Sequence, residues 1–362
     1  MLLKCSGRCS LPLHFSDTGG VNTPAPRTNA NSSEDAGPAE KTRAAEEGYQ
    51  KMKIQKKHVF IGVLPFAAGA AAAAANFMFQ KMRPRLIRRA FGRSDDRRDA
   101  GLSVPEDIDC VYDLSYGTDS QQKLDVYVPK GTEGVLPTIV SIHGGAYVYG
   151  DKERYSFYCM DLARRGFAVV NFSYRLAPET RYPGQLHDIN MAVAYAVNHA
   201  AALHLDPSHM FFVGDSAGAQ LLSQYAAAVT NPDYAALLGL VIPGIRIPAL
   251  ALNCGMYELN DRDSILKSYL TKKVSEYGEE LDVTGHITGA FPPSFVMSAW
   301  GDFLFEKAEP MSRLLSEKGV ENELHLYGST DNQLGHVFHL NIRKEEAVLC
   351  NDEECAFFRK HI

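Results

Sequence analysis

An α/β domain with an eight-stranded, mostly parallel sheet covered by helices on both faces is the fold the sequence predicts, on three observations. From about residue 108, short β-prone runs alternate with helical ones, the pattern of strands joined by helical crossovers. Composition agrees, since 45% of the 362 residues are hydrophobic and 22% charged, enough for one large core plus an extension. Third, the apolar run 210–213 enters a helical run through Gly214-Asp215-Ser216-Ala217-Gly218. That strand-turn-helix sets a serine on a sharp turn whose neighbours must approach without a Cβ clash.

The elements follow in order. Residues 1–57 are rich in Ser, Thr, Asn, Pro, Ala and Gly, with almost no apolar periodicity. They read as a disordered extension, because such a stretch cannot bury enough surface to offset chain entropy. Segment 58–80 holds an uncharged apolar run, 59–79, long enough to span a bilayer as a helix. Lys56 and Lys57 precede it; Lys81, Arg83, Arg85, Arg88 and Arg89 follow it. Its length and the basic cluster after it favour a retained membrane anchor, whereas the small residues at 70–75 also fit a cleaved secretory signal. A soluble alanine helix is the third reading. Anchoring, with the heavier cluster after the run, points to a cytoplasmic catalytic domain; signal cleavage points to secretion. The basic n-region pattern begins at Met52, so a start there makes residues 1–51 an upstream extension. Residues 81–107 read as a basic linker contributing to a cap.

The α/β domain spans 108–362. Strands are predicted at 108–116, 123–128, 138–142, 168–174, 210–214, 249–254, 294–300 and 321–327, the first two antiparallel through the polar turn Gly117-Thr118-Asp119-Ser120. Helices are predicted at 155–165, 185–203, 217–229 and 307–318. Polar and helical sequence at about 256–290 interrupts the alternation and reads as a cap insertion over the site.

Charge and cysteine usage narrow the function. A net charge of −6 without an aromatic-basic stripe argues against nucleic acid as a partner. The seven cysteines form no Cys-x-x-Cys pair, which argues against zinc and a dense disulfide framework. His199, His204 and His209 recur every five residues, a spacing that does not stack them on one helical face, so they read as solvated or locally satisfied imidazoles.

A serine hydroxyl is a weak nucleophile, so it needs an imidazole to take its proton and a carboxylate to orient that imidazole. On a strand-turn-helix elbow the partners follow in the order Ser, Asp or Glu, His, on loops after late strands. Ser216 is therefore the candidate nucleophile, Asp302 at the end of the 294–300 strand the candidate acid, and His336 after Gly335 the candidate base. Each has a rival. Asp302 also suits the cap of a helix starting near Glu306. Asp331 lies in the histidine loop, but after the last strand. His339 is embedded in Val-Phe-His-Leu, and His325 lies within a strand. Donors for the oxyanion are sought in His143-Gly144-Gly145-Ala146-Tyr147 and just after the nucleophile, which gives Gly144, Gly145, Ala146 and Ala217.

Taken together, His143-Gly144-Gly145-Ala146-Tyr147, Tyr174-Arg175-Leu176-Ala177-Pro178-Glu179 with Tyr182-Pro183, and Gly214-Asp215-Ser216-Ala217-Gly218 resemble the hormone-sensitive-lipase-like carboxylesterases of the α/β-hydrolase fold. The resemblance covers roughly 108–345. It implies hydrolysis of small-molecule carboxylic esters with short or medium acyl chains through an acyl-enzyme, with no metal or organic cofactor. Arg175 and Glu179 would brace the site. The family often carries a third glycine where Ala146 stands; alanine keeps its N–H, but its Cβ limits bulky tertiary-alcohol esters. A peptidase of the same superfamily is the alternative enzyme, and a ligand-binding protein on the same scaffold the non-catalytic one. Oligomeric state is not legible.

Overall fold

Strands β1 (Ile108–Ser115) and β2 (Lys123–Pro129) start the sheet as an antiparallel pair in the computed structural model, which describes residues 82–362. They are followed by β3 (Leu136–Ile142), β4 (Ala168–Phe172), β5 (Leu205–Asp215), β6 (Leu250–Asn253), β7 (Ser294–Ala299) and β8 (Asn322–Tyr327). The order across the sheet is β1-β2-β4-β3-β5-β6-β7-β8. Only the β1/β2 and β2/β4 pairings are antiparallel; β4, β3, β5, β6, β7 and β8 run parallel. Side chains alternate across these strands. Val126, Val140, Val170 and Phe212 therefore enter one apolar layer, and Tyr127, Ile139, Val169 and Phe211 the other.

Helix α1 (82–99 among the described residues), α2 (Lys152–Arg164), α3 (Gly184–Asn198), α4 (Ala217–Thr230), α5 (Pro232–Leu237), α6 (Leu266–Tyr269), α7 (Val283–His286), α8 (Ala308–Glu317) and α9 (Glu345–Arg359) complete the fold. Every predicted strand is present, with shifted ends. β5 starts earlier than expected because Leu205 and Asp206 pair with Leu136 and Pro137 before a register shift. The predicted 185–203 helix breaks at His199 into α3 and a 3₁₀ turn, Ala200–Leu203, which His204 closes at a φ of 58°. The anchor-or-signal segment 58–80 and the extension 1–57 lie outside the described residues. Among the described residues, no helix is long and apolar enough to cross a membrane.

Candidate active site

β5 delivers the nucleophile candidate and α4 departs immediately behind it. Ser216 sits between them at φ 56°, ψ −118°, a backbone conformation that costs a residue with a Cβ about 1–3 kcal/mol and persists only when its surroundings hold it. The turn is tight enough that a Cβ on Gly218 would collide with the carbonyl oxygens of Ile142 and His143 at the end of β3. That close approach brings the β3 loop, and with it the Gly-Gly-Ala segment, against the serine.

The acid and base arrive from strands further along the sheet, β7 and β8. Beyond β7 and β8 the two chains pair once more, at an isolated parallel bridge between Gly301 and Gly335, with the Gly301 N–H donating to the Leu334 carbonyl at 2.9 Å. A Cβ on Gly301 would stand 2.6 Å from that carbonyl oxygen, so the bridge depends on glycine. Asp302 and His336 are the next residue on each chain, and Asp302 Oδ1 lies 2.7 Å from His336 Nδ1. The same carboxylate accepts the Leu304 N–H at 2.8 Å and the Ser298 hydroxyl at 3.0 Å. Its side chain is fully buried. Burial raises its pKa, but His336, the Leu304 N–H and the Cys254 thiol together hold it below the usual carboxylate range. This one side chain holds the Leu304 N–H of the following turn and the imidazole, but it does not cap the helical turn near Glu306, whose N-cap is Leu304.

The rival groups lie elsewhere. His339 is wholly buried with neither ring nitrogen hydrogen-bonded, and burial pushes its pKa down to about 3, so it stays neutral. His325 pairs with Glu323 and Glu353 and stacks on Phe295. Asp331 is exposed on its loop.

Ser216 and His336 line one cavity of about 260 Å³, together with Gly144, Gly145 and Ala146. No hydrogen bond links the serine hydroxyl to the ring among the described residues, and such contacts are commonly loose before substrate binds. The oxyanion candidates divide. Gly144 is corrected: its N–H donates to the Tyr155 hydroxyl at 2.9 Å, which removes it as a free donor. The N–H groups of Gly145, Ala146 and Ala217 have no intramolecular acceptor among the described residues. Tyr155 in turn donates to Asp215 Oδ2 at 2.7 Å, tying the oxyanion loop to the elbow. Burial pushes the Asp215 carboxyl up to about 7, against the opposing pull of Tyr155, His336 and Arg98.

Sequence reasoning missed Asp215 and Tyr155 as parts of this site, and of the two segments it read as cover, 81–107 and 256–290, only the first lines the cavity. The 256–290 insertion is present, but its α6 packs into the core beside the cavity and does not line it: buried Tyr269 stacks on Tyr147 at 3.8 Å, and Tyr182 donates its N–H to the Tyr269 carbonyl. The cavity wall comes instead from α1, through Phe91, Ser94, Asp95 and Arg98, and from Phe303 and Val337. The signal was available, since 91, 94, 95 and 98 form one helical face. Arg88 clamps α1 down, donating to the carbonyls of Val148 and Ala177 and forking onto Glu179 at 2.7 and 3.0 Å. Arg175 likewise forks onto the buried Asp188. Arg175, on Asp188, and Glu179, on Arg88, thus make the bracing contacts that the resemblance implies for them.

As for metals, Cys254 Sγ, a carboxylate oxygen of Asp302 and a ring nitrogen of His336 lie within 4.8 Å of one another. The imidazole already engages the carboxylate, and burial pushes the thiol well above its ordinary value, which disfavours thiolate ligation.

The comparisons with known proteins match this fold. A family model described as the alpha/beta hydrolase fold matches residues 139–340. The chain belongs to that family. An isoprenylcysteine alpha-carbonyl methylesterase of Arabidopsis thaliana is 31% identical over 108 residues, 30% of this chain and 25% of the relative. The chain thus spans about a quarter of the length of the plant relatives it matches first. An ethyl acetate hydrolase of Pseudomonas putida is 26% identical over 60% of this chain and 74% of its own. Among solved structures, esterase B from Lactobacillus rhamnosis superposes with a TM-score of 0.73 at 24% identity, covering 79% of this chain and 96% of that one, a likeness of fold. The resemblance to the hormone-sensitive-lipase-like branch stands with these relatives.

Proposed function

We propose that the protein is a serine carboxylesterase that cleaves small-molecule esters through an acyl-enzyme. The observation that carries the reading is the 2.7 Å Asp302–His336 contact beside a cavity shared with Ser216 and the Gly145 and Ala146 amides. In this mechanism Ser216 Oγ attacks the ester carbonyl while His336 Nε2 takes its proton. The Asp302 carboxylate on Nδ1 fixes the tautomer and stabilises the imidazolium. The N–H groups of Gly145, Ala146 and Ala217 receive the developing oxyanion, each such donor being worth roughly 3 kcal/mol in the transition state. His336 then returns the proton to the leaving alcohol, and water attacking by the same route releases the acid.

A cavity of about 260 Å³ walled by α1 supports short acyl chains, and a relative named as an ethyl acetate hydrolase points the same way. A p-nitrophenyl ester panel of increasing acyl length tests this. The expected result is turnover that peaks at acetate or butyrate and vanishes in Ser216→Ala; undiminished turnover in that variant would refute the assignment. We further propose that residues 59–79 hold this domain on a membrane, with the catalytic domain on the cytoplasmic side, and that 81–107 join the anchor to the cover of the site. Fractionation of the full chain tests it: recovery in the carbonate-washed membrane pellet is expected, and recovery of a shortened chain in the medium would favour signal cleavage.

A further inference from the structure

One short turn holds both peptide groups of the elbow serine. The Ser216 N–H donates to the Asn253 carbonyl at 2.9 Å, and the Ser216 carbonyl accepts the Met256 N–H at 3.3 Å. A residue with a Cβ held at positive φ needs such fixed partners, since relaxation to an ordinary conformation would otherwise be downhill. The same turn reaches the other half of the site. The Cys254 N–H donates to the Met297 carbonyl at 2.8 Å on β7, the strand that delivers Asp302. Its buried thiol lies within 4.8 Å of Asp302 and His336. Cys254 is itself at positive φ, 48°, so the turn is not a relaxed one.

What steadies this turn comes from outside the cavity. The Asn253 side-chain amide donates to Glu354 Oε2 at 2.6 Å, and the Tyr158 hydroxyl donates to Glu354 Oε1 at 3.1 Å. Glu354 is completely buried on α9 and does not line the cavity. No lysine or arginine forms an ion pair with it among the described residues. A carboxyl buried without a paired cation is costly, so its place behind the nucleophile calls for a return beyond packing.

We propose that Glu354, acting through Asn253, is a positioning residue of the esterase reaction: it fixes the 253–256 turn, and the turn sets Ser216 and Asp302 relative to each other. This rests on the esterase reading above. Displacements near 1 Å at a reacting group cost about 100-fold in rate, so a loosened turn should act on turnover and not on substrate affinity.

The test uses the full chain with Glu354→Leu, Glu354→Gln and Asn253→Ala, and Cys350→Ala on the same helix as a packing control. With p-nitrophenyl acetate, Glu354→Leu and Asn253→Ala are expected to lower kcat roughly 10- to 100-fold with KM little changed. They should slow fluorophosphonate labelling of Ser216 in parallel. Glu354→Gln, whose amide oxygen still accepts from Asn253, should recover most of the rate, and Cys350→Ala should lower Tm while keeping kcat. The proposal is overturned if folded Asn253→Ala or Glu354→Leu keeps the wild-type kcat, or if kcat follows Tm alike across all four variants. If the wild type neither turns over esters nor takes the label, the esterase reading itself fails and this inference falls with it.

Discussion

The two halves of the candidate site are built by different means. On the β3/β5 side, the serine and its amide donors are shaped by backbone, with Tyr155 a side-chain tie between loop and elbow: a strained elbow, glycine contacts at a carbonyl's distance, and N–H groups left free by the loop. On the β7/β8 side, Asp302 and His336 are held by a side-chain web in which one carboxylate accepts from Leu304, Ser298 and the imidazole. A backbone-built half shows itself in the sequence as a motif, because few residues fit the conformation. A half built from side chains shows itself only as order along the chain, because many sequences can close the same hydrogen bonds.

The sharpest break is chemical. Ser216→Ala or His336→Ala should lower kcat on the order of 10⁴- to 10⁶-fold, with circular dichroism unchanged, and Asp302→Asn roughly 10³- to 10⁴-fold. Equal activity in any of the three would remove that member from the machinery.

Next come changes that separate the halves. Gly218→Ala forces a methyl into the Ile142 and His143 carbonyls and should cost about 3 kcal/mol of stability. Gly301→Ala strains only the bridge that seats Asp302 and His336. It should spare most of the melting temperature while lowering kcat. Paired thermal melts and ester kinetics read the contrast, and equal effects on stability from both substitutions would erase it.

A weaker lever is Arg88→Ala, which frees α1 from two carbonyls and Glu179. Its half-exposed ion pair adds little, so a loss of about 1 kcal/mol is expected. Longer acyl chains should gain relative to acetate in the ester panel, because α1 walls the cavity.

The smallest effect is a pH slope in stability. Asp215 and Glu354 are pushed up to about 7 by burial from ordinary values of 3.8 and 4.5. Between those limits the native state holds more protons than the unfolded chain, so stability should fall as pH rises across that window and level off above it. Asp302, held low, works in the opposite sense, and its contribution is lost only as pH falls through its depressed value. Urea unfolding at about pH 5 and about pH 8 should show the fall in the wild type and a flatter profile in Asp215→Asn; an unchanged slope would show that Asp215 titrates alike in both states.

Much of the fold was legible because its causes are local. Strands such as 138–142 and 294–300 carry short, largely apolar β-prone runs, and the elbow glycines admit few other conformations. What escaped depends on long-range contact. Segment 81–107 read as a basic linker contributing to a cap because its charges dominate its sequence, while the particular face at 91, 94, 95 and 98 acquires meaning only against the cavity. Gly144 looked like a donor because nothing in the sequence says that Tyr155 will reach its N–H. The insertion at 256–290 was legible as an insertion but not in its packing, since Tyr269 is spent on a stack with Tyr147 in the core.

The most direct measurement of the central claim is to treat the protein with a fluorophosphonate and map the adduct by peptide mass spectrometry, in the wild type and in His336→Ala. The account predicts one modified residue, Ser216, in the wild type and little or none in the variant. Modification of another residue, or equal labelling of Ser216 without the imidazole, would contradict it.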